Sequence, residues 1–512
     1  MGIKIALLIL FFAVMVGVGI YSRRHVTTVD GFVLGSRSVG PWLTAFAYGT
    51  SYFSAVVFVG YAGQFGWKYG LASTWIGIGN AVLGSLLAWV VLGRRTKVMT
   101  QHLGSKTMPD FFGERYGSKA LKITASVIVF VFLIPYTASV YNGLSRLFEM
   151  AFDIPYTWCV IGMAVFTAVY VILGGYMATA INDFIQGIIM LIGIVAVIAA
   201  VLYGQGGFMN AVYEMAQIPS DVAVTQGQPG AFTSFFGPDP ANLLGVVILT
   251  SLGTWGLPQM IGKFYAIRDE KSINTGTVIS TLFAVVVSGG CYFLGGFGRL
   301  FDDPAIYDAS TGAVVYDSII PHMLSALPDI LIGIVVVLVL SASMSTLSSL
   351  VLTSSSTMTL DLLKGNILKK MSEKKQIVTM QLLIVFFIVV SVVIALDPPT
   401  FIAQLMGISW GALAGAFLAP FLYGLYWKGV TRAGVWAGFI AGVGITVSNM
   451  FIGFIESSIN AGAVAMLAGL IVVPVVSLVT PKMKKETVEE IFTCYDEKVT
   501  ITKKRSLEQG QS

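Results

Sequence analysis

Thirteen long apolar stretches constrain the fold of this chain more than any other feature. A helix that crosses the hydrocarbon core of a bilayer needs about 20 apolar residues. Only 11% of the 512 residues are charged, whereas an ordinary soluble domain carries roughly 25%, so this chain cannot form a soluble surface. We therefore predict an all-α polytopic membrane protein with thirteen transmembrane helices. The stretches lie near residues 3–21, 39–64, 71–93, 122–148, 156–177, 183–203, 241–265, 274–297, 326–352, 376–396, 400–426, 431–454 and 460–480.

The basic residues predict the orientation, because loops on the cytoplasmic side of a membrane are enriched in Lys and Arg. With the N-terminus outside, the cytoplasmic segments are 22–38, 94–121, 178–182, 266–273, 353–375, 427–430 and the tail from 481. Of the 31 Lys and Arg, all but Lys4, Lys68, Arg146 and Arg299 lie in or beside these segments. The net charge of +5 is therefore interpreted as a topology signal and not as a nucleic-acid surface. We expect a multi-pass protein of the cell membrane with a cytoplasmic C-terminus.

Two predicted spans are interrupted at matching positions. The second contains Gly-Thr-Ser-Tyr-Phe-Ser at 49–54, and the seventh contains Gly-Thr-Trp-Gly-Leu-Pro at 253–258. One interpretation is that glycine and proline, which are common in membrane helices, merely permit close packing. Broken helices at equivalent places in two five-helix units instead indicate an inverted repeat with a midplane binding site. The predicted units are an extra N-terminal helix and loop (1–38), a first repeat (39–203), an external loop (204–240), a second repeat (241–426), two C-terminal helices (427–480) and a cytoplasmic tail (481–512), with a short helix near 486–492.

The ninth span carries a row of hydroxyl groups. Helical spacing places four serines on one face with a threonine beside it: Ser341, Ser345, Ser348, Ser349 and Thr346. Neutral oxygens of this kind suit Na⁺, and they equally suit polar contacts between helices. Both interpretations remain open from the spacing alone.

Asp183 opens the sixth predicted span. A carboxylate within the membrane is costly, so it normally has a partner or a function. The alternative is an acid at a helix N-terminus, where the helix dipole favours negative charge. Position alone does not separate these two interpretations.

Four parts of the sequence carry a family resemblance: residues 170–178 followed by 182–187, and residues 32–42, 341–349 and 420–442. Together they resemble the sodium/solute symporter family. The resemblance extends over about residues 1–480, and it is greatest to sodium/pantothenate symporters, with sodium/proline symporters next. It implies an inverted-repeat fold of thirteen helices.

The resemblance also implies how Na⁺, the coupling ion, is bound. One site would use the carbonyl oxygens of Thr50, Phe53 and Ala342 with the hydroxyls of Ser345 and Thr346. Some members of the family bind a second sodium further inward. The matching residues here are Asp183, Ser345, Ser348 and Ser349.

The substrate positions of the family transfer less completely. Where sodium/proline symporters have an aspartate after the serine of the first broken helix, this chain has Tyr52, as pantothenate symporters do. The Trp and Tyr of their second broken helix align with Thr250 and Thr254, whereas Tyr136 matches an aromatic residue that proline carriers use. These departures weaken proline without establishing pantothenate. The expected solute cavity is lined by Ser51, Tyr52, Tyr136, Thr254, Trp255 and Gln259.

These observations predict a sodium-coupled secondary active symporter that imports a small organic solute. A carboxylate such as pantothenate or a monocarboxylate fits best; the alternative is proline or another amino acid, and a distant alternative is an ion channel. An enzyme is not expected, because the three Cys and three His are scattered and the spans contain no catalytic constellation. The expected partners are the solute, sodium ions and lipid, without nucleic acid or an obligatory protein partner.

Overall fold

The computed structural model describes residues 2–23, 27–364, 367–368 and 370–495. Within these ranges the regular secondary structure is helical, and β-pairing is limited to isolated bridges. The α-helices are α1 Gly2–Ser22, α2 Val29–Leu34, α3 Pro41–Tyr52, α4 Ala62–Tyr69, α5 Thr74–Gly79, α6 Arg94–His102, α7 Met108–Tyr116, α8 Lys119–Phe152, α9 Tyr156–Gly204, α10 Phe208–Gln217, α11 Pro240–Leu252, α12 Pro258–Ala266, α13 Glu270–Gly295, α14 Tyr316–Ser325, α15 Asp329–Thr357, α16 Glu373–Leu396, α17 Ile402–Tyr426, α18 Arg432–Ile452, α19 Ser458–Val479 and α20 Lys485–Phe492. The predicted tail after residue 495 lies outside the described residues.

Eleven helical segments of the described chain are long and apolar enough to cross a membrane. Two of them are far longer than one crossing requires: Val56–His102 has 47 residues and Tyr156–Gly204 has 49. Each contains a glycine whose positive φ interrupts the helix, Gly70 (φ 59°) and Gly175 (φ 53°). Glycine is needed there because other residues rarely adopt such a backbone conformation. The all-helical fold is confirmed, whereas the count of thirteen spans stays a prediction that these two interruptions favour.

The predicted loop at 178–182 is wrong. Residues 178–182 are helical within α9, and the interruption lies earlier, at Gly175. Glycine is needed there because its φ is positive and because a Cβ atom would lie only 2.9 Å from the carbonyl oxygen of Phe32. Asp183 is therefore inside a helix and fully buried, which removes its interpretation as an acid at a helix N-terminus.

Both predicted helix breaks are present in the structure. Helix α3 ends at Tyr52, and Phe53 is extended (φ −92°, ψ 113°) before a π-helical segment at Val56–Tyr61 leads into α4. In the predicted second repeat, a 3₁₀ turn follows α11 and Leu257 is extended (φ −84°, ψ 122°). Pro258 then starts α12, where its missing N–H costs no helical hydrogen bond. The chain thus exposes backbone polar groups at two places inside the protein.

Burial separates central helices from peripheral ones. In the most apolar 18 residues of each segment, 89% of the residues are buried in α17 and 78% in the segment that contains α15, but only 22% in α1 and 28% in α16. Helix α15 packs against α3, α8 and α9, and α17 packs against α8, α18 and α19. The first broken helix therefore lies beside the hydroxyl-rich face of a central helix.

Candidate ion and solute site

The first helix break meets α15 through a cluster of five oxygen atoms. The hydroxyl of Ser345 donates to the carbonyl oxygens of Thr50 at 3.1 Å and Ala342 at 3.0 Å. The hydroxyl of Thr346 lies 3.2 Å from the Thr50 carbonyl oxygen, 3.3 Å from that of Phe53 and 3.1 Å from that of Ala342. The structure therefore brings together all five residues predicted to bind the first sodium.

This cluster suits a hard monovalent cation. Three of its oxygens are carbonyls and two are hydroxyls, and all five residues are buried. Carbonyl groups released by helix unwinding are a recurring source of Na⁺ ligands in transporters. The cluster has no charged side chain among its five members. A bound cation could therefore dissociate without leaving a carboxylate unpaired. Sodium binding at these residues stays a prediction that the geometry supports.

Other serines stabilise the unwound backbone. The amide of Ala55 donates to the Ser343 hydroxyl at 3.3 Å, and the amide of Val56 donates to the Ser54 hydroxyl at 3.2 Å. Such partners are required because an unwound backbone within a membrane must find its hydrogen bonds in the protein. Hydroxyl groups of α15 therefore contribute both to the cluster and, through Ser343, to the break beside it.

Two of the residues predicted for a second sodium contact a lysine that the sequence analysis missed. The Nζ atom of Lys263 lies 3.6 Å from a carboxylate oxygen of Asp183 and 3.0 Å from the Ser349 hydroxyl. Ser348 instead donates to the Ser345 carbonyl at 2.9 Å. Lys263 is only 2% exposed. Its place inside the predicted span 241–265 was the available signal, but it was grouped with the basic residues that flank cytoplasmic loops.

Two predicted solute residues, Thr254 and Trp255, bond to a segment that the first broken helix also contacts. Thr254 and Tyr48 both donate to the Gly84 carbonyl oxygen, at 3.0 Å and 2.8 Å, and the indole N–H of Trp255 donates to the Leu83 carbonyl at 2.8 Å. Gly84 lies in a π-helical segment, Asn80–Leu87. The two breaks are thus joined through one neighbouring helix.

The remaining predicted solute residues lie in separate surroundings. The Ser51 hydroxyl pairs with that of Ser349 at 2.9 Å, and the Tyr136 ring packs edge-on against Trp410 with centroids 5.9 Å apart. Gln259 is buried, and its side-chain amide has no hydrogen bond within the described residues. The side chain of Tyr52 lies outside what the structure describes. Within the described residues, Ser51, Tyr136 and Gln259 therefore have different neighbours.

Trp410 is a second residue that the sequence analysis missed. It is fully buried on α17, and a Cβ atom at Gly253 would lie 2.6 Å from its ring. The same ring contacts Tyr136. Trp410 therefore connects the second helix break with a predicted solute residue, a contact that no local sequence pattern indicates.

Two cavities of very different size flank the breaks. A cavity of about 720 Å³ is lined by residues that include Lys68, Asp221 and Arg299, which belong to predicted external or outer-facing parts of the chain. A cavity of about 40 Å³, lined by residues that include Gln259 and Lys263, has room for only a few water molecules. The larger of these two cavities lies on the predicted outer side.

Comparison with protein families matches residues 32–442 to the sodium:solute symporter family. The chain belongs to this family. Sodium/proline symporters of Staphylococcus aureus strains JH9 and NCTC 8325 are each 30% identical to it, over 93% of this chain and 92% of theirs. The protein is therefore a membrane-embedded transporter that couples the movement of a solute to sodium ions. The predictions of symport and of Na⁺ as the coupling ion are confirmed at the level of the family.

Solved structures support the same fold. A Na⁺-coupled sialic acid symporter, in a substrate-bound outward-open state that revealed a novel Na⁺ site, aligns with a TM-score of 0.75 at 15% identity, covering 94% of this chain and 99% of its own. A nucleobase-cation-symport-1 family transporter in a closed conformation with bromovinylhydantoin bound aligns with a TM-score of 0.52 at 12% identity, covering 90% of this chain and 97% of its own. At these identities the likeness concerns the fold alone.

Proposed function

We propose that this symporter imports a small organic carboxylate together with sodium across the cell membrane, with its N-terminus outside and its C-terminus in the cytoplasm. The observation that carries the proposal is the cluster of five buried oxygens between the break after α3 and the hydroxyl face of α15. Two of the oxygens, from Thr50 and Phe53, belong to the first helix break, and the other three belong to α15. An ion bound there therefore stabilises one relative arrangement of the two elements.

Sodium binding would organise the solute site through the backbone. Thr50, whose carbonyl contacts both hydroxyls of the cluster, directly precedes Ser51 and Tyr52 in the chain. An ion that fixes this carbonyl restricts the backbone segment to which both predicted solute residues belong. Ion and solute are then coupled because each favours the same conformational state. Rocking of one repeat against the other exposes the site to the cytoplasm.

The buried acids favour a solute without an amino group. Three aspartates are buried in the described residues: Asp183, Asp317 and Asp361. Asp183 faces Lys263, Asp317 accepts a hydrogen bond from a backbone amide, and Asp361 lies near Lys122 and the Thr107 hydroxyl. Each carboxylate is thus engaged by protein groups, and none of the six predicted solute residues is acidic. Among the predicted solute residues, Gln259 has a buried side-chain amide with no hydrogen bond within the described residues, and its N–H donors suit a carboxylate such as pantothenate or a monocarboxylate.

Proline is the second candidate solute. It is favoured by the sodium/proline symporters that share 30% of this sequence over nearly the whole chain. Its carboxylate would use the same donors as other acids. Its ammonium group would need an acceptor such as a backbone carbonyl at a helix break. Transport measurements can separate the two classes of solute.

The test is uptake by the purified protein in liposomes. Radiolabelled pantothenate, acetate and proline are offered separately, with an inward sodium gradient or with potassium replacing sodium. We expect pantothenate or acetate to accumulate above its equilibrium level only when sodium is present. Accumulation of proline instead would establish the second candidate. A solute that only equilibrates, with or without sodium, would contradict symport and favour a channel.

A further inference from the structure

Lys263 brings a positive charge to the place where the resemblance implies a second sodium. Its Nζ atom lies 3.6 Å from an Asp183 carboxylate oxygen and 3.0 Å from the Ser349 hydroxyl. The centroid of the Tyr176 ring is 5.2 Å from the same Nζ atom. The ammonium group therefore has an anion, a hydroxyl acceptor and an aromatic ring around it.

We propose that the Lys263 ammonium permanently takes the place of a second cation, so that the carrier binds one sodium ion. The inference rests on the proposed sodium site at the first helix break. It concerns the neighbouring group of Asp183, Ser348 and Ser349, which could otherwise hold another ion. Lys263 thus acts as a tethered counter-ion and not as a ligand of sodium.

Charge balance supports this assignment. A carboxylate buried in a membrane protein normally pairs with a cation or lies in a water-filled cavity, and Asp183 is fully buried. The lysine supplies one positive charge and three N–H donors. A sodium ion bound to Asp183 and Ser349 would lie within a few ångströms of the ammonium group, without an additional anion to balance it. The two cations would therefore compete for one site.

The location of the lysine gives this pair a mechanical role. Lys263 is on α12, directly after the second helix break, whereas Asp183 is on α9 and Ser349 on α15. The Ser349 hydroxyl also contacts Ser51 in the first broken helix. The ammonium group therefore connects both broken helices to the bundle. The ammonium group is covalently attached to the chain and cannot dissociate as a free ion can. The connection that it makes therefore does not draw energy from the sodium gradient.

The experiment is equilibrium binding of ²²Na⁺ to the purified carrier, which requires no knowledge of the solute. We expect one ion per carrier for the parent protein. Lys263→Ala frees Asp183, so we expect this variant to bind two ions per carrier. Lys263→Ala combined with Asp183→Asn removes both charges, so binding should return to one ion.

Two results would overturn the inference. The parent protein could bind two ions, or Lys263→Ala could bind one ion while its melting temperature and gel-filtration profile remain those of the parent. If Lys263→Ala does not fold, Lys263→Gln takes its place, because it removes the charge and keeps most of the side chain, and it should likewise bind two sodium ions. Absence of any sodium bound to the parent would contradict the proposed sodium site itself, and a count of two would leave that site standing.

Discussion

At the scale of residues, the proposed sodium site depends on two hydroxyl oxygens of α15. We predict that Thr346→Ala raises the sodium concentration for half-maximal uptake roughly tenfold, because the ion loses one of its five proposed oxygen ligands; a tenfold change corresponds to about 1.4 kcal/mol. The measurement is the sodium dependence of uptake in liposomes. Thr346→Ser keeps the oxygen and should restore most of the affinity.

Ser355→Ala is a matched control for this substitution. Ser355 is buried on the same helix, and its hydroxyl donates to the carbonyl oxygen of Leu352 within α15. Its removal should leave the sodium dependence close to that of the parent. An identical sodium dependence for Thr346→Ala and the parent would show that the Thr346 hydroxyl is not a ligand.

Asp317 gives a prediction about pH. Its carboxylate is buried at the start of α14 and accepts a hydrogen bond from the amide of Ile402 at 3.3 Å. Burial raises the pKa of this carboxyl to about 6 from its ordinary value of 3.8. The folded protein thus holds the proton more tightly than the unfolded chain, so stability is lost as the pH rises from about 4 through 6.

Asp317→Asn should remove this pH dependence, because the amide does not ionise and keeps an oxygen acceptor for Ile402. We expect the melting temperature of the variant in detergent to gain several degrees relative to the parent between pH 4 and pH 7. A difference between the two proteins that is constant across this range would show that Asp317 does not titrate there.

Sequence reasoning predicted the site residues unevenly, for physical reasons. Helical spacing alone grouped the serines of α15. The carbonyl ligands of Thr50, Phe53 and Ala342 came only from the family resemblance, because every residue has a carbonyl group. Lys263 was missed because its burial depends on how α12 packs against α9 and α15. Such packing is not visible in the local pattern of the sequence.

At the scale of elements, α4 and α13 approach so closely that their contact requires glycine. A Cβ atom at Gly66 would overlap the carbonyl oxygen of Gly295. We predict that Gly66→Ala lowers the free energy of unfolding by about 1–3 kcal/mol or more, because overpacking forces the backbones apart. Thermal unfolding in detergent measures this loss.

Gly444→Ala provides the opposite expectation at a glycine of α18. A Cβ atom there would meet no other atom within 4 Å, and alanine favours a helix over glycine by about 1 kcal/mol. Its melting temperature should stay the same or rise. Equal losses at Gly66 and Gly444 would contradict the close approach of α4 and α13.

The sequence predicted the helix breaks better than the turns between spans. Pro258 and the glycines around residues 49 and 253 restrict the local backbone, so both breaks could be located. The interruptions at Gly70 and Gly175 depend on positive φ angles, which the surrounding helices select. The cytoplasmic loop was therefore placed at 178–182, whereas the chain is helical there and is interrupted at Gly175.

At the scale of the whole molecule, the distribution of Lys and Arg predicts the orientation. Val224 is exposed in the predicted external loop, and Lys374 is exposed in a predicted cytoplasmic segment. We predict that a membrane-impermeant maleimide labels Val224→Cys in intact cells but labels Lys374→Cys only after permeabilisation. The natural cysteines Cys159, Cys291 and Cys494 are buried, so the parent provides the background. The reverse pattern would contradict the orientation.

The ratio of sodium to solute tests the central claim most directly. Liposomes containing the carrier are offered ²²Na⁺ and the labelled solute that the uptake panel identifies, with the membrane potential held at zero. One sodium site at the first helix break and a tethered ammonium at the second predict that one sodium ion enters with each solute molecule. Entry of two sodium ions with each solute molecule, or solute accumulation without sodium, would contradict this account.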